Sequence, residues 1–232
     1  MVRSVEIAGI TDNLPAEKAK YEEAFTTASE ALKEAISIIQ TDDFETKASW
    51  KLDVESDGIT VHYKDMKDGR VFAGRCIMPI SAKEQFTEVW EKIGDGPTWN
   101  PNLKISRRAN LLTEYCDIVQ YASNQMMMIS SREFVACRMY REMNGTYLLT
   151  GRTVLLDDIP EIKGIVRAHL YMGGGRTTPC KDDPTSCIYD YVICMDLKGM
   201  LIKSVINKVM GTLTMQDIKN VRTHSIEMKN NK

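Results

Sequence analysis

The chain has 232 residues, of which 43% are hydrophobic and 27% are charged, and this composition excludes a disordered or fibrous protein. Lys and Arg number 30 and Asp and Glu number 32, so the formal net charge is −2. Such a balance gives no basic surface that would indicate nucleic acid as a partner. Because no repeat or low-complexity linker divides the sequence, we expect residues 1–232 to form one domain, with residues 1–14 flexible.

Targeting and redox signals favour a cytoplasmic protein. No segment approaches the ~20 consecutive apolar residues of a membrane-spanning helix, and the N-terminus lacks the apolar run of a signal peptide. The six cysteines are scattered and include no C-x-x-C pair, which predicts reduced thiols without a zinc site, disulfide framework or other cofactor. Methionine is frequent, with 14 residues, and its flexible thioether suits either a plastic core or the wall of an apolar cavity.

The N-terminal part predicts a helix, three strands and a second, short helix. Apolar residues recur every three or four positions from Pro15 to Gln40, which indicates a helix with one buried face. The predicted strands cover residues 50–54, 59–63 and 70–78. A turn at Asp68-Gly69 joins the last two. Ser81 and Glu84 have the spacing of a capping box at the start of the short helix, which ends near Ile93.

The remainder of the chain predicts a run of strands and a long C-terminal helix. The candidate strands cover residues 111–121, 132–141, 146–156, 165–172 and 188–195. Asn144-Gly145 is the strongest hairpin signal in the chain, and Gly173-Gly174-Gly175 is interpreted as a loop because the other residues of a phosphate-binding motif are missing. The last helix is predicted from Gly199 to about Ile226. This order favours an α+β fold with one curved antiparallel sheet and a helix laid across it.

A curved sheet closed by one amphipathic helix leaves a space, and the C-terminal helix indicates what would line it. Ile202, Ile206, Met210, Leu213 and Asp217 are separated by three or four residues, so they share one helix face. Asp217 therefore either forms a polar group at one end of an apolar cavity or lies at the helix edge and reaches water.

Three consecutive methionines, Met126, Met127 and Met128, lie in a connection between two predicted strands. Connections are normally polar and solvated, so an apolar one must rest on other apolar groups or continue a buried strand. We favour a flexible apolar lid over a cavity mouth.

Signals for catalysis are weak. His62, His169 and His224 lie far apart and show no metal-ligand spacing, and no G-x-S-x-G motif occurs. The adjacent acids Asp157-Asp158 and Asp182-Asp183 would point to opposite faces of a strand, which suits acid–base catalysis poorly. The sequence therefore favours a binding protein over an enzyme.

Four segments carry a resemblance to a known family. They are Trp50-Lys51-Leu52, Trp99-Asn100-Pro101-Asn102, Ser131-Arg132-Glu133-Phe134-Val135 followed by Arg138, and Asp196-Leu197-Lys198-Gly199 continuing to Asn207. In order and spacing they resemble the START domain, the steroidogenic acute regulatory protein-related lipid-transfer family, and best its steroidogenic subgroup, which includes insect carotenoid-binding proteins. The resemblance implies a helix-grip fold, in which a U-shaped sheet grips the last helix around a hydrophobic tunnel for one lipid. The loop before Arg132 corresponds to the family's mobile gate.

The resemblance also implies an acid and an arginine inside the tunnel. Arg138 matches the arginine, but Val119 occupies the position of the acid and cannot ionise. A buried guanidinium needs a partner, and Asp117 on the same strand face, or Asp217, is the candidate. Ile202 also departs from the family, which usually has proline there.

We therefore predict a non-enzymatic protein that binds one hydrophobic lipid and transfers it inside the cell. The expected ligand contacts are Arg138, Asp117, Val119, Met126, Met127, Met128, Tyr191, Ile206, Met210, Leu213 and Asp217. A mostly apolar tunnel without the family's acid suits a carotenoid, such as the xanthophyll lutein, ahead of a sterol such as cholesterol. We expect a monomer that contacts membranes only transiently. The alternatives are a helix-grip hydrolase or cyclase and a protein-interaction module that docks through the lid.

Overall fold

The computed structural model describes residues 3–201 and 203–232. Ile202, which the sequence places on the cavity face of the last helix, lies outside the described residues. The chain begins with a hairpin of β1 (Ser4–Ile7) and β2 (Ile10–Asn13), in a segment predicted to be flexible. Ile7 and Leu14 are buried in the core and pack this segment against the rest of the domain.

The first predicted helix is divided in two. Ala16–Tyr21 form a 3-10 helix, and α1 covers Glu22–Ile39. At the junction, the Tyr21 hydroxyl donates a hydrogen bond to Asp158 (2.7 Å) and accepts one from Asn110 (2.7 Å). These contacts with distant parts of the chain hold Tyr21 away from helical geometry, which explains why a continuous apolar stripe does not give one continuous α-helix.

One large sheet dominates the described part of the chain. Its strands are β3 (Lys51–Ser56), β4 (Ile59–Met66), β5 (Gly69–Met78), β6 (Leu103–Thr113), β7 (Cys116–Ser123), β8 (Arg132–Met143), β9 (Thr146–Thr153), β10 (Val166–Arg167), β11 (His169–Pro179) and β12 (Cys187–Asp196). The order is β3-β4-β5-β12-β11-β9-β8-β7-β6, with antiparallel neighbours, and β10 pairs in parallel with β8. The other helices are α2 (Asp42–Thr46), α3 (Ala82–Trp90), α4 (Gly96–Trp99) and α5 (Lys203–Asn230).

Two local signals in the sequence are confirmed. The Ser81 hydroxyl accepts a hydrogen bond from the Glu84 amide while the Glu84 carboxylate accepts one from the Ser81 amide, which is the predicted capping box at the start of α3. Asn144 and Gly145 form the two-residue turn between β8 and β9, with φ of 52° and 78°. Positive φ at both positions is the geometry that favours Asn-Gly in tight hairpins.

Several predicted boundaries are wrong. The predicted strand 111–121 is two strands, because a turn separates β6 from β7. The predicted strand 165–172 is the short β10 followed by β11, which continues through Gly173–Gly175 instead of ending in a loop. Helix α5 begins at Lys203 rather than Gly199, because Lys198 and Gly199 both have positive φ (52° and 75°), which an α-helix does not allow.

The glycines of β11 allow unusually close contact between strands. A Cβ atom built on Gly175 would lie less than 3.0 Å from the carbonyl oxygen of Asp190 on β12. Gly174 has a φ of +153°, a backbone conformation that residues other than glycine rarely adopt. Tertiary packing therefore makes a strand of a sequence whose local preference is a loop.

The two faces of the sheet have different partners. Helix α1 packs on β8 and β9 from outside, where Val135, Cys137 and Met139 join its apolar face in the core. Arg138 alternates with these residues and therefore points to the inner face, as predicted. Helix α5 packs on the inner side against β3, β4 and β5. The predicted α+β fold, one antiparallel sheet with a long C-terminal helix against it, is confirmed.

Candidate ligand-binding cavity

A cavity of about 320 Å³ lies between the inner face of the sheet and helices α3, α4 and α5. Its wall is mainly apolar and includes Phe86, Trp99, Phe134, Leu149, Leu170 and Ile193. This volume and this lining are typical of sites that hold a small molecule. Strand alternation explains the wall, because every second side chain of β8, β9, β11 and β12 points inward.

Arg138 lies in the cavity wall and pairs with Asp117, one of the two partners that the sequence offers. The two residues are direct neighbours across β7 and β8. The Arg138 Nε donates to Asp117 Oδ1 at 2.9 Å and Nη2 donates to Oδ2 at 2.7 Å, a bidentate ion pair. Asp117 is completely buried behind the wall, so it can act on a ligand only through the arginine.

A second arginine shares this carboxylate. Arg108 Nε donates to Asp117 Oδ2 at 2.8 Å, and the guanidinium groups of Arg108 and Arg138 lie 5.1 and 4.9 Å from the ring centre of Trp90. Two cations around one anion leave an excess of one positive charge, which contacts with the aromatic face partly offset. This part of the cavity therefore favours an electron-rich ligand group.

The remaining donors of Arg138 are almost all occupied. Its Nη1 donates to the carbonyl oxygen of Val89 at 2.8 Å and to the Tyr121 hydroxyl at 3.0 Å. Burial alone would lower the pKa of Arg138, but Tyr121 and Asp117 outweigh it and raise the pKa. A guanidinium has five N–H donors, and the described residues take four, so one remains for a ligand. Tyr121 keeps its own proton and can donate as well, since burial raises the pKa of its hydroxyl.

Val119, which the sequence analysis names as a ligand contact, does not line the cavity. It packs with Ile93 and Ala136 in a small apolar cluster. Tyr121, two residues further along the same face, lines the cavity. The strand alternation that put Asp117 on the same face as Val119 could have identified it.

Helix α5 contributes three of its four predicted contacts that lie in the described residues. Met210, Leu213 and Asp217 line the cavity, whereas Ile206 packs into the neighbouring core and is not part of the wall. Tyr191 on β12 also lines the cavity as predicted, and it is joined by Tyr189, which the sequence analysis missed.

Asp217 belongs to the cavity rather than to the outer edge of the helix. Burial raises its pKa, and its Oδ1 accepts a hydrogen bond from Asn100 Nδ2 at 2.9 Å. Asn100 is itself held by Asn102 and Asn220, whose nitrogen atoms each donate to its Oδ1 at 3.0 Å. Asp217 forms no ion pair with Arg138 within the described residues, so the alternative partner for the arginine is excluded there.

The methionine segment forms a tight turn over the cavity. The backbone groups of Met126 and Ile129 bond to each other at 3.0 and 2.9 Å, and both side chains line the cavity. Met127 and Met128 form the tip and are 61% and 71% exposed. They do not line the cavity, although the sequence analysis names them as ligand contacts. A buried continuation of the strand is also excluded. The turn therefore presents one apolar pair inward and another outward.

Arg132 connects this turn to the segment that leads into α5. Its Nε donates to the carbonyl oxygen of Leu197 at 2.6 Å, while Nη1 donates to the carbonyl and hydroxyl oxygens of Ser130 at 2.6 and 2.7 Å. The guanidinium is buried, which lowers its pKa, and its acceptors in the described chain are neutral oxygens. The Arg132 side chain thus bonds the end of the turn to the segment before α5.

Other kinds of site have little support. Within residues 3–201 and 203–232, no group of three or more His, Cys, Asp or Glu side chains could hold a metal ion. Over the same residues, no helix has the length and apolar character needed to cross a membrane. None of the six cysteines, all of which are described, forms a disulfide, and five of them are buried.

The fold and the cavity define an α+β protein that encloses a small-molecule site between one antiparallel sheet and its C-terminal helix. The family model of the START domain matches residues 31–230, and the chain belongs to the START domain family. The resemblance found in the sequence is thereby confirmed.

Two relatives illustrate the similarity in sequence. The chain is 31% identical over 222 residues to steroidogenic acute regulatory-like protein 1 of Caenorhabditis elegans, and this match covers 95% of the chain and 86% of that protein. It is 26% identical over 186 residues to the human mitochondrial steroidogenic acute regulatory protein, covering 78% of the chain and 64% of the human protein. The chain therefore spans less than two thirds of the human relative.

Solved structures show the same fold. Human StAR-related lipid transfer protein 5 superposes with a TM-score of 0.78 at 18% identity, covering 90% of this chain and 99% of that one. Human STARD10 gives a TM-score of 0.69 at 20% identity, covering 82% and 81%.

Proposed function

We propose that this protein binds one hydrophobic lipid in the cavity and transfers it between membranes without changing it chemically. The observation that carries the proposal is an apolar cavity between the sheet and α5 whose wall includes Arg138, anchored by Asp117. Membership of the START family and the names of the relatives support it. Non-enzymatic transfer also agrees with a cavity whose best-defined polar group is a fully charged donor rather than an acid–base pair.

For the ligand, a carotenoid such as lutein is the first candidate. The carboxylate of Asp117 is occupied by two arginines, so it offers no acceptor to a sterol hydroxyl. The free groups near Arg138 are donors, which suit a hydroxyl or carbonyl oxygen on a long apolar molecule. A sterol is the second candidate, because the relatives carry the name steroidogenic acute regulatory protein.

The first experiment measures binding and blocks the cavity. Titration with lutein and with a fluorescent sterol should saturate near one ligand per protein for at least one of them. Leu149→Trp places a larger side chain in the wall and should weaken that binding more than tenfold, because the ligand must compete with the indole for space. Leu155→Trp is the matched control, since Leu155 is 86% exposed and outside the wall.

The proposal of lipid binding is contradicted if the folded parent protein saturates with neither probe and mass spectrometry finds no lipid in its extract. Recovery of a hydrolysed or cyclised ligand would instead support the alternative of an enzyme. Light scattering with and without lipid tests whether the protein is a monomer. An interaction module would associate through the lid whether or not lipid is bound.

The exposed tip of the lid is proposed to contact the membrane during loading. Replacing Met127 and Met128 by Asp should slow uptake from liposomes about tenfold or more, because burial of even one Met contributes about 1.5–3 kcal/mol and 1.4 kcal/mol corresponds to tenfold. The melting temperature should change little, since both side chains are exposed.

Leu155→Asp serves as the control for a charge at an exposed apolar position away from the cavity. Uptake by the Met127 and Met128 variant at the rate of this control would contradict the role of the lid in membrane contact.

A further inference from the structure

One side of the cavity carries polar groups that the Arg138 cluster does not use. Tyr189 and Tyr191 project from the same face of β12, with their rings stacked 6.3 Å apart, and Asp217 projects from α5. All three line the cavity. They project from other elements than Arg138, which lies on β8 and pairs with Asp117.

The tyrosine hydroxyls lack partners in the protein. Tyr189 is only 8% exposed, yet among the described residues neither its hydroxyl nor that of Tyr191 makes a hydrogen bond. Burial raises the pKa of both hydroxyls, and the nearby Asp217 raises it further, so both keep their protons and are donors. Neither hydroxyl oxygen is among the inaccessible unbonded atoms of the described residues, so both open onto the cavity, where a bound molecule can be their partner.

Asp217 is oriented toward the same space. Its Oδ1 is fixed by Asn100, which is 3% exposed and is held in turn by Asn102 and Asn220. A chain of amide groups thus fixes the carboxyl group in one orientation. The arrangement provides an acceptor beside two donors, and a hydroxyl group is the ligand function that both donates and accepts.

We propose that Asp217, Tyr189 and Tyr191 form a hydroxyl-binding subsite, so that the bound lipid is a hydroxylated apolar molecule whose hydroxyl contacts α5 and β12 rather than Arg138 alone. This inference rests on the proposed function. Tyr121, which bonds to Arg138, is close enough to both tyrosines to raise the pKa of their hydroxyls, so the donors at Arg138 and Tyr121 would serve an oxygen function at the same end of the ligand. A site that bonds a hydroxyl group rejects the analogue without it, because its own polar groups are then left unpaired.

The test compares two probes with one skeleton, zeaxanthin with two hydroxyl groups and β-carotene with none. The parent protein should prefer zeaxanthin by at least tenfold. Asp217→Leu, and separately the double change Tyr189→Phe with Tyr191→Phe, should each reduce this preference about tenfold by weakening zeaxanthin binding alone. Asp217→Asn keeps the side-chain shape and one acceptor oxygen, so it should retain more of the preference for zeaxanthin than Asp217→Leu. This difference between the two variants shows that Asp217→Leu acts through the missing acceptor and not through folding. Cholestanol and cholestane serve as the equivalent pair if the protein takes only sterols.

Thr212→Val is the control. Thr212 lies on α5 and is exposed, and it is not part of the cavity wall, so removal of its hydroxyl should leave the preference unchanged. The subsite is overturned if the parent binds both members of a pair equally or if Asp217→Leu keeps the full preference. If the parent binds no probe of either pair, the proposed function fails, and with it the inference.

Discussion

Replacing Asp117 by asparagine is expected to lower the free energy of unfolding by about 3–5 kcal/mol, the usual cost of removing one partner of a buried ion pair. Asp117 is fully buried and accepts hydrogen bonds from both Arg108 and Arg138. Asparagine has the same size but carries no charge and offers one acceptor oxygen instead of two. The buried guanidinium of Arg138 and the partly exposed one of Arg108 would then remain without a counter-charge.

The same geometry predicts that the arginine is the less costly partner to remove. Arg138→Met leaves Asp117 paired with Arg108, so the expected loss is about 1–3 kcal/mol. Urea unfolding measures the change in the free energy of unfolding for both variants, provided that their m-values are the same as that of the parent protein. Asp157→Asn is the control, because Asp157 is exposed and makes no side-chain bond within the described residues, so its change should stay within about 0.5 kcal/mol. A larger loss for Arg138→Met than for Asp117→Asn would contradict the shared-carboxylate arrangement.

Replacing Gly175 by alanine is expected to cost more than about 4 kcal/mol or to prevent folding, which places it among the exceptional single changes. The new methyl group would overlap the carbonyl oxygen of Asp190 on β12, and that oxygen belongs to the backbone of a central strand. A flexible side chain could move aside, but the backbone can move only if hydrogen bonds between β11 and β12 break.

Gly94→Ala is the control for this prediction. A Cβ atom at Gly94 would meet no atom within 4 Å, so alanine there should be neutral or stabilise by up to about 1 kcal/mol. Circular dichroism shows whether each variant folds, and thermal unfolding compares its stability with that of the parent protein. A Gly175→Ala protein as stable as the parent would show that β11 and β12 are not packed as closely as the structure indicates.

Features that depend on a few neighbouring residues were predictable. The capping box at Ser81 and Glu84 and the turn at Asn144-Gly145 are determined by side chains and φ angles within four positions. The inward direction of Arg138 follows from alternation along one strand, since Val135 and Cys137 face the outer core.

The composition of the cavity wall was only partly predictable. Helical spacing correctly placed Met210, Leu213 and Asp217 on one face, but Val119 proved to be core and Tyr121 took its place. Periodicity gives the face on which a side chain lies. It does not give the depth at which a cavity opens beneath that face, which depends on the helices packed above it.

The sequence by itself determined the order of elements, the local turns and caps, and the family, because these depend on short-range geometry and on motifs in a fixed order. Tertiary structure alone decided which distant groups meet. Asp117 and Arg138 are 21 positions apart and Asn100 and Asp217 are 117 apart, and each contact requires one particular arrangement of strands and helices. The glycines of β11 form a strand for the same reason, since the close approach of β12 outweighs their local preference for a loop.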